Sequence, residues 1–292
     1  MRVCSGRENN MRTKRCVKFT PQAGIMLILF IIMAVIILTP FVSIFLASLR
    51  PGKELMRQGL GLNLDTSVMS FNNYAYLFSG ETAYFTWYKN SLILTAVQTV
   101  LTLFVSAFVG YGFAMYDFKL KNLLFTCVLF IMMIPMEIIM LPLFQLTIRI
   151  GLIDSIWGVI LPFVAGPLPI FFFRQYLSGI PKDFLDAGRV DGCSEYGIFF
   201  RIILPLMKPA FAAMGIFVGM NSWNNFLWPM IVLNSKDKLT LPIGLNTLIT
   251  PYGNNYDVLL AGAVFSVIPV IILFMLFQKY FIAGMAAGGV KG

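Results

Sequence analysis

Apolar residues run along this chain in long unbroken stretches, not in the alternation of a strand or the one-sided spacing of a surface helix. Five windows carry no charged residue at all: 25–47, 91–116, 155–173, 209–234 and 258–278. A sixth, 123–148, holds a single acid, Glu137. Crossing a hydrocarbon layer of ~30 Å takes about 20 helical residues, and lipid offers nothing to a bare backbone N–H or C=O. The pattern therefore predicts an all-α integral membrane protein with six transmembrane helices and both termini on one side.

The polar interruptions sort themselves against that frame. Residues 1–22 form a basic tail, 23–49 the first span and 50–88 the longest outer connection. In that connection SFNNYAYLF and TAYFTWYKN are rich in aromatics, which predicts short helices at the headgroup level. The connections at 117–122 and 151–154 are short, so the second, third and fourth spans must be neighbours. The stretch 183–211, by contrast, packs four acids and three bases between two highly apolar segments. Its local signals describe a helix–glycine–helix elbow within 178–208. Ser178 is expected to cap the first helix with Pro181 in its opening turn. Gly192 supplies a positive-φ turn, Ser194 caps the second helix, and Pro205 and Pro209 bend the chain into the fifth span. Ala187, Gly188 and Gly192 would present a nearly bare surface for another protein's backbone, rimmed by Asp186, Asp191, Glu195, Arg189 and Arg201. The mixed signs argue against an amphipathic segment lying on anionic lipid.

Composition and charge add direction. The chain is 58% hydrophobic and 12% charged, half the charge of a soluble domain, with mean hydropathy +0.81. With the N-terminus inside, fifteen Lys and Arg fall on inner segments and seven on outer ones. Both termini are thereby expected in the cytoplasm, and the net charge of +9 needs no nucleic acid to explain it. The first apolar run is about twice the length of a signal-peptide core, so an uncleaved anchor is expected. Cys4, Cys16, Cys127 and Cys193 fall on the inner tail, a span and an inner loop, which offers no extracellular disulfide framework. The chain has no histidine, and neither a metal-spaced cluster nor a nucleophile–base set can be read from it. No catalytic or metal site is expected.

Two features inside the spans carry polarity. In NSWNNFLWP, Asn221, Asn224 and Asn225 stand at i, i+3 and i+4 with Trp228 at i+7, one face of a continuous helix. Asparagine amides match the donors and acceptors of sugar hydroxyls, and Trp223 and Trp228 offer indoles for stacking. The same asparagines could equally hold helices together. Glu137, flanked by Pro135 and Pro142, is read either as part of a polar path or as a neutral, buried acid at a kink.

The segment DAGRVDGCSEYGIFFRIILP resembles the EAA loop of binding-protein-dependent ABC importer permeases, a pattern of roughly EAAxxDGAxxxxxFxxIxLP. SLRPGKEL, IPMEIIMLPLF, WNNFLWPMIVL, TLPIGL and FIAGMAAGGVKG resemble the maltose-type carbohydrate branch of the family. Asp186 stands where the pattern has Glu, and Gly188 where it has its second Ala, which should loosen the helix by ~0.5–1 kcal/mol. The resemblance implies a type I importer (MetI-like) permease fold, with a transmembrane domain at 89–281 and a cytoplasmic tail at 282–292. It implies that the elbow is a coupling helix docked in an ATPase cleft through Asp186, Ala187, Gly188, Asp191 and Gly192, with Ile203, Leu204 and Pro205 shaping the return to the membrane. The implied partners are a second homologous permease, two cytoplasmic ATPase subunits, an extracytoplasmic solute-binding protein and a carbohydrate, in a bacterial cell membrane. No GxxxxGK[ST] phosphate loop occurs, so this chain is expected to bind no cofactor, and ATP and Mg belong to the ATPase. The competing reading is an ion-coupled secondary transporter, for which one intramembrane acid is thin support.

Overall fold

The computed structural model describes residues 21–288 apart from 63–64, 81 and 251–252. Most of the expected N-terminal tail, including Cys4 and Cys16, lies outside the described residues. Helix α1 (Pro21–Ser48) is followed by two short helices in the first connection, α2 (Gly52–Gln58) and α3 (Asn72–Phe78). The 32-residue α4 (Tyr84–Met115) comes next. Then come α5 (Lys121–Met133), α6 (Met136–Arg149), α7 (Ile156–Ile160) running into a short 3-10 turn, and α8 (Pro167–Ser178). The elbow contains α9 (Asp183–Val190), α10 (Glu195–Ile198), a π-helical turn (Phe199–Ile203) and α11 (Leu204–Leu206). The chain closes with α12 (Lys208–Trp223), α13 (Leu227–Val232), α14 (Leu241–Asn246), a β1–β2 hairpin pairing Ile249 with Asn254, α15 (Tyr256–Ser266) and α16 (Ile268–Gly288).

Three helical stretches are long and apolar enough to cross a membrane, at Pro21–Ser48, Tyr84–Met115 and Tyr256–Gln278, the last joining α15 to the start of α16. The other crossings are bent, and prolines account for the bends. α5 and α6 meet at 105°, where Ile134, just before Pro135, is extended with ψ 120. Pro142, by contrast, is absorbed inside α6. The α7 segment and α8 meet at 42° over Gly166 and Pro167. The segment Glu195–Leu206, the charged elbow, meets α12 at 77°. Length and composition thus allow three spans, or up to six if each bent pair is one crossing, and six is the number the apolar windows predict. α16 runs on to Gly288, past the boundary expected at 281.

α4 is the axis, packing most extensively on α8 and α12. Gly110 marks where it meets α8 most closely: a Cβ there would lie 2.9 Å from the Arg174 backbone nitrogen. The apolar core divides along α4. Its first end gathers Tyr84, Trp87, Leu94, Trp223, Trp228 and Leu241. The other end gathers Tyr111, Met115, Phe173 and Leu177 with Leu185, Ile198, Phe199 and Ile203 of the elbow. Between them a buried hydrogen bond, Ser222 Oγ to Gln98 Oε1 at 2.8 Å, joins α12 to α4. α1 buries almost nothing beyond its last turn, where Asn73 Nδ2 donates to the Ser48 and Arg50 carbonyls at 2.8 Å each.

The connection after α6 is pinned by Asp154, a residue at φ 56. Its carboxylate accepts from the Asn234 and Ser235 backbone N–H groups at 2.9 and 3.0 Å. Lys238 Nζ reaches the same carboxylate at 2.8 Å. Lys238 first, then Ser235, hold this carboxyl well below the usual carboxylate range.

Candidate functional site: coupling elbow and asparagine cleft

The elbow forms for local reasons that extend beyond its charge. Ser178 does not cap α9 as expected. It closes α8 and donates its hydroxyl to the Arg174 carbonyl at 2.8 Å, four residues back, and Lys182 takes the cap position without a side-chain bond. The exit from α9 is a Schellman turn: Cys193 N–H reaches the Gly188 carbonyl at 2.9 Å and Gly192 N–H the Arg189 carbonyl at 3.0 Å. Gly192 sits at φ 74 with open space around it, as the sequence requires. Ser194 then caps α10, accepting from Gly197 N–H at 3.1 Å. The π turn precedes Pro205, which cannot donate to the Arg201 carbonyl.

Burial divides the expected docking residues. Asp186, Ala187, Asp191, Gly192 and Pro205 are exposed and Leu204 is half-buried. Gly188 faces inward instead: a Cβ there would lie 2.8 Å from Ile202 Cδ1 and 2.9 Å from Ile198 Cγ1. Its bareness serves the seat of α9 on the second helix, and its backbone is not open to a partner. Ile203 is fully buried. Two exposed apolar side chains that the motif did not flag stand on the same elbow, Val190 at 87% and Tyr196 at 75%. Val190 is the last residue of α9 and Tyr196 the second of α10, so both flank the glycine turn; apolar residues beside that turn were the available signal.

A chain of polar contacts crosses the elbow. Arg189 Nη1 donates to Asp186 Oδ1 at 3.2 Å, and its Nε to Glu195 Oε1 at 2.8 Å. The Tyr116 hydroxyl donates to Glu195 Oε2. Arg189 first, and then Tyr116, hold the Glu195 carboxyl below its ordinary range.

The second polar region differs from its expected form. α12 stops at Trp223, Asn224 is its C-cap, and α13 starts afresh at Leu227. The face shared by i, i+3, i+4 and i+7 therefore breaks between Asn225 and Trp228. Asn221, Asn224 and Asn225, with Phe217, Met220, Phe226 and Leu227, line an open cleft of about 720 Å³. Trp223 and Trp228 point into the core, where their Nε1 atoms donate to the Ser266 carbonyl at 3.1 Å and the Gly158 carbonyl at 3.2 Å. The stacking role expected of these two indoles is thus excluded by burial; Phe217 and Phe226 are the aromatic rings that reach the cleft. The asparagines do not bridge helices either: Asn221 Nδ2 donates to the Phe217 carbonyl at 2.8 Å and Asn224 Nδ2 to the Met220 carbonyl at 2.9 Å. Glu137 sits in the first turn of α6 beside the 105° break and is exposed. It is neither a buried kink acid nor a wall of this cleft. Among the described residues no group of acids, cysteines or histidines has metal-binding geometry.

Residues 103–287 match the model of the family described as binding-protein-dependent transport system inner membrane component. The chain belongs to this family. As a permease it shares 58% identity with the arabinooligosaccharides transport system permease protein AraQ of Bacillus subtilis (strain 168), over 90% of this chain and 94% of that one. It shares 55% with the AraQ protein of Halalkalibacterium halodurans, over the same fractions. A solved bacterial ABC transporter involved in import of the acidic polysaccharide alginate superposes with TM-score 0.79 at 24% identity, covering 90% of this permease and 99% of that chain. That likeness establishes the fold. This permease is the membrane component of an ATP-driven importer, and it is not an enzyme: ATP hydrolysis falls to a separate subunit. Family membership does not favour an ion-coupled transporter.

Proposed function

We propose that this permease carries an arabinose-containing oligosaccharide inward, forming one wall of a path whose other wall is a second homologous permease. The observation that carries the cargo class is the identity to two arabinooligosaccharide permeases across nine-tenths of the chain. An extracytoplasmic solute-binding protein delivers the sugar, and the cleft of Asn221, Asn224, Asn225 and Phe226 is the polar stretch of the wall. Amides beside an aromatic ring suit a molecule with hydroxyls at its edges and C–H groups on its face.

Both termini lie in the cytoplasm of a bacterial cell membrane, a placement supported by the excess of bases on the segments that include the elbow. There Asp186, Ala187, Asp191 and Gly192, joined by Val190 and Tyr196, seat the elbow in a cleft of one of two ATPase subunits, which use ATP and Mg. Closure of the ATPase pair on nucleotide moves the elbows together, and the spans convert that motion into an inward-to-outward switch.

Reconstitution of the full importer with its binding protein in proteoliposomes tests the reading. ATP-driven uptake of arabino-oligosaccharides that ignores a protonophore is expected. Uptake that follows a proton gradient without ATP would overturn the mechanism, and ATP-driven uptake confined to other sugars would overturn the cargo.

A further inference from the structure

We infer that Tyr116 and Glu195 form the positioning joint that fixes the angle between the elbow and α4, so that movement of one becomes movement of the other. The inference deepens the proposed function and rests on the elbow being the docked handle. Tyr116 is the residue that ends α4, and its hydroxyl donates to the Glu195 carboxylate in the first turn of α10. The same carboxylate receives Arg189 Nε and Nη2 from α9, at 2.8 and 3.3 Å. One acid thus ties both helices of the elbow to the axis of the bundle. On the far side, Tyr111 one turn up α4 holds the Tyr116 hydroxyl at 3.3 Å, with the two rings edge-on at 5.4 Å. On the outer side Arg189 also grips Asp186, an exposed residue of the docking surface.

The remaining contacts between elbow and α4 are of a different kind. Phe199 stacks on Phe108 at 4.2 Å between centroids, and Leu185, Ile198 and Ile203 pack in the same apolar cluster as Tyr111 and Met115. Such packing is strong but non-directional, so it lets surfaces slide and rotate. A hydrogen bond to an ionised acceptor has a direction. A second polar link near the end of α4, Lys182 Nζ to Asp117 Oδ2 at 3.2 Å, is exposed on both partners and contributes little.

The test is the amount of oligosaccharide imported per ATP hydrolysed by the complete reconstituted importer, with the Tm of the complex measured alongside. Tyr116→Phe keeps the ring and its packing; we expect ATP turnover to continue and sugar per ATP to fall roughly three- to tenfold, with Tm unchanged. Glu195→Gln should fall between wild type and Tyr116→Phe. The double variant should lose less than the two single losses combined, because the Tyr116–Glu195 bond is common to both changes. Lys182→Gln should leave the ratio at the wild-type value. A lower Tm and lower total uptake with the ratio intact would mark a merely structural role and overturn the joint. A wild-type ratio in both Tyr116→Phe and Glu195→Gln would overturn it too. If the docking reading itself is wrong, the wild-type elbow will not cross-link to an ATPase subunit, a result independent of either variant.

Discussion

The elbow spends its polar groups on one another, whereas the asparagine cleft spends them on its own backbone. Asp186, Arg189 and Glu195 of the elbow form one connected chain with Tyr116 at the end of α4, and beneath it Leu185, Ile198, Phe199 and Ile203 are buried. In the cleft, Asn221 and Asn224 each return an amide N–H to the carbonyl four residues back. Among the described residues, no hydrogen bond from another helix holds them. The first region is finished within this chain; the second is a half-built wall with about 720 Å³ open in front of it. A handle that transmits force needs internal rigidity, and a path that releases its cargo needs polar groups free to exchange partners.

Substitutions can break that contrast, and the largest effect is expected at the turn of the handle. Gly192→Val forces a β-branched residue into φ 74, where only glycine is at ease. The permease should still insert, while uptake falls more than about tenfold because the docking surface is re-aimed. Membrane-fraction blots and uptake assays check both halves. Full uptake in Gly192→Val would dissolve the distinction between handle and wall. Next comes Gly188→Leu, which drives a side chain into Ile198 and Ile202. Overpacking of this kind costs about 1–3 kcal/mol, to be read as a lower Tm of the purified permease.

The core tryptophan and the cleft asparagines then separate stability from transport. Trp228→Phe loses the bond to the Gly158 carbonyl and should cost about 1–2 kcal/mol in thermal unfolding, with the half-saturating sugar concentration unchanged. The double change Asn221→Ala with Asn224→Ala should do the reverse. Tm should hold, since the amides bond only their own helix, and half-saturation should rise about threefold. The smallest effect is expected from Glu137→Gln. The carboxylate is exposed and lies outside the cleft wall, so uptake should stay within about twofold of wild type.

Much of this contrast could be read from the residues, and the parts that could not share a cause. The six apolar windows need only local composition. So do the Gly192 turn and the Ser194 cap, because a positive-φ demand and an N-terminal N–H are satisfied within a few residues. Ser178 misleads because a serine serves a helix end in either direction: it can cap the next helix or bond back to the last turn. The tryptophans mislead for a longer-range reason. The place of Trp228 on one helical face assumed an unbroken helix, and the break after Trp223 turns it toward Gly158, 70 residues away. Gly188 looks like a bare surface until the residues packed on it are known, and those come from the second helix. The same holds for Glu195, whose partner Tyr116 lies 79 residues earlier.

The central claim is that the elbow is a rigid handle seated on an ATPase subunit, and thiol cross-linking reads it directly. In a permease whose four cysteines are serine, Ala187→Cys is placed in the assembled importer and treated with a short heterobifunctional reagent that joins its thiol to a lysine amine. The account predicts a covalent adduct with the ATPase subunit, and none from a cysteine at Ile36 on the exposed face of α1. Adducts with lipid-facing probes alone, and no ATPase adduct from position 187 in an importer that transports sugar, would contradict it.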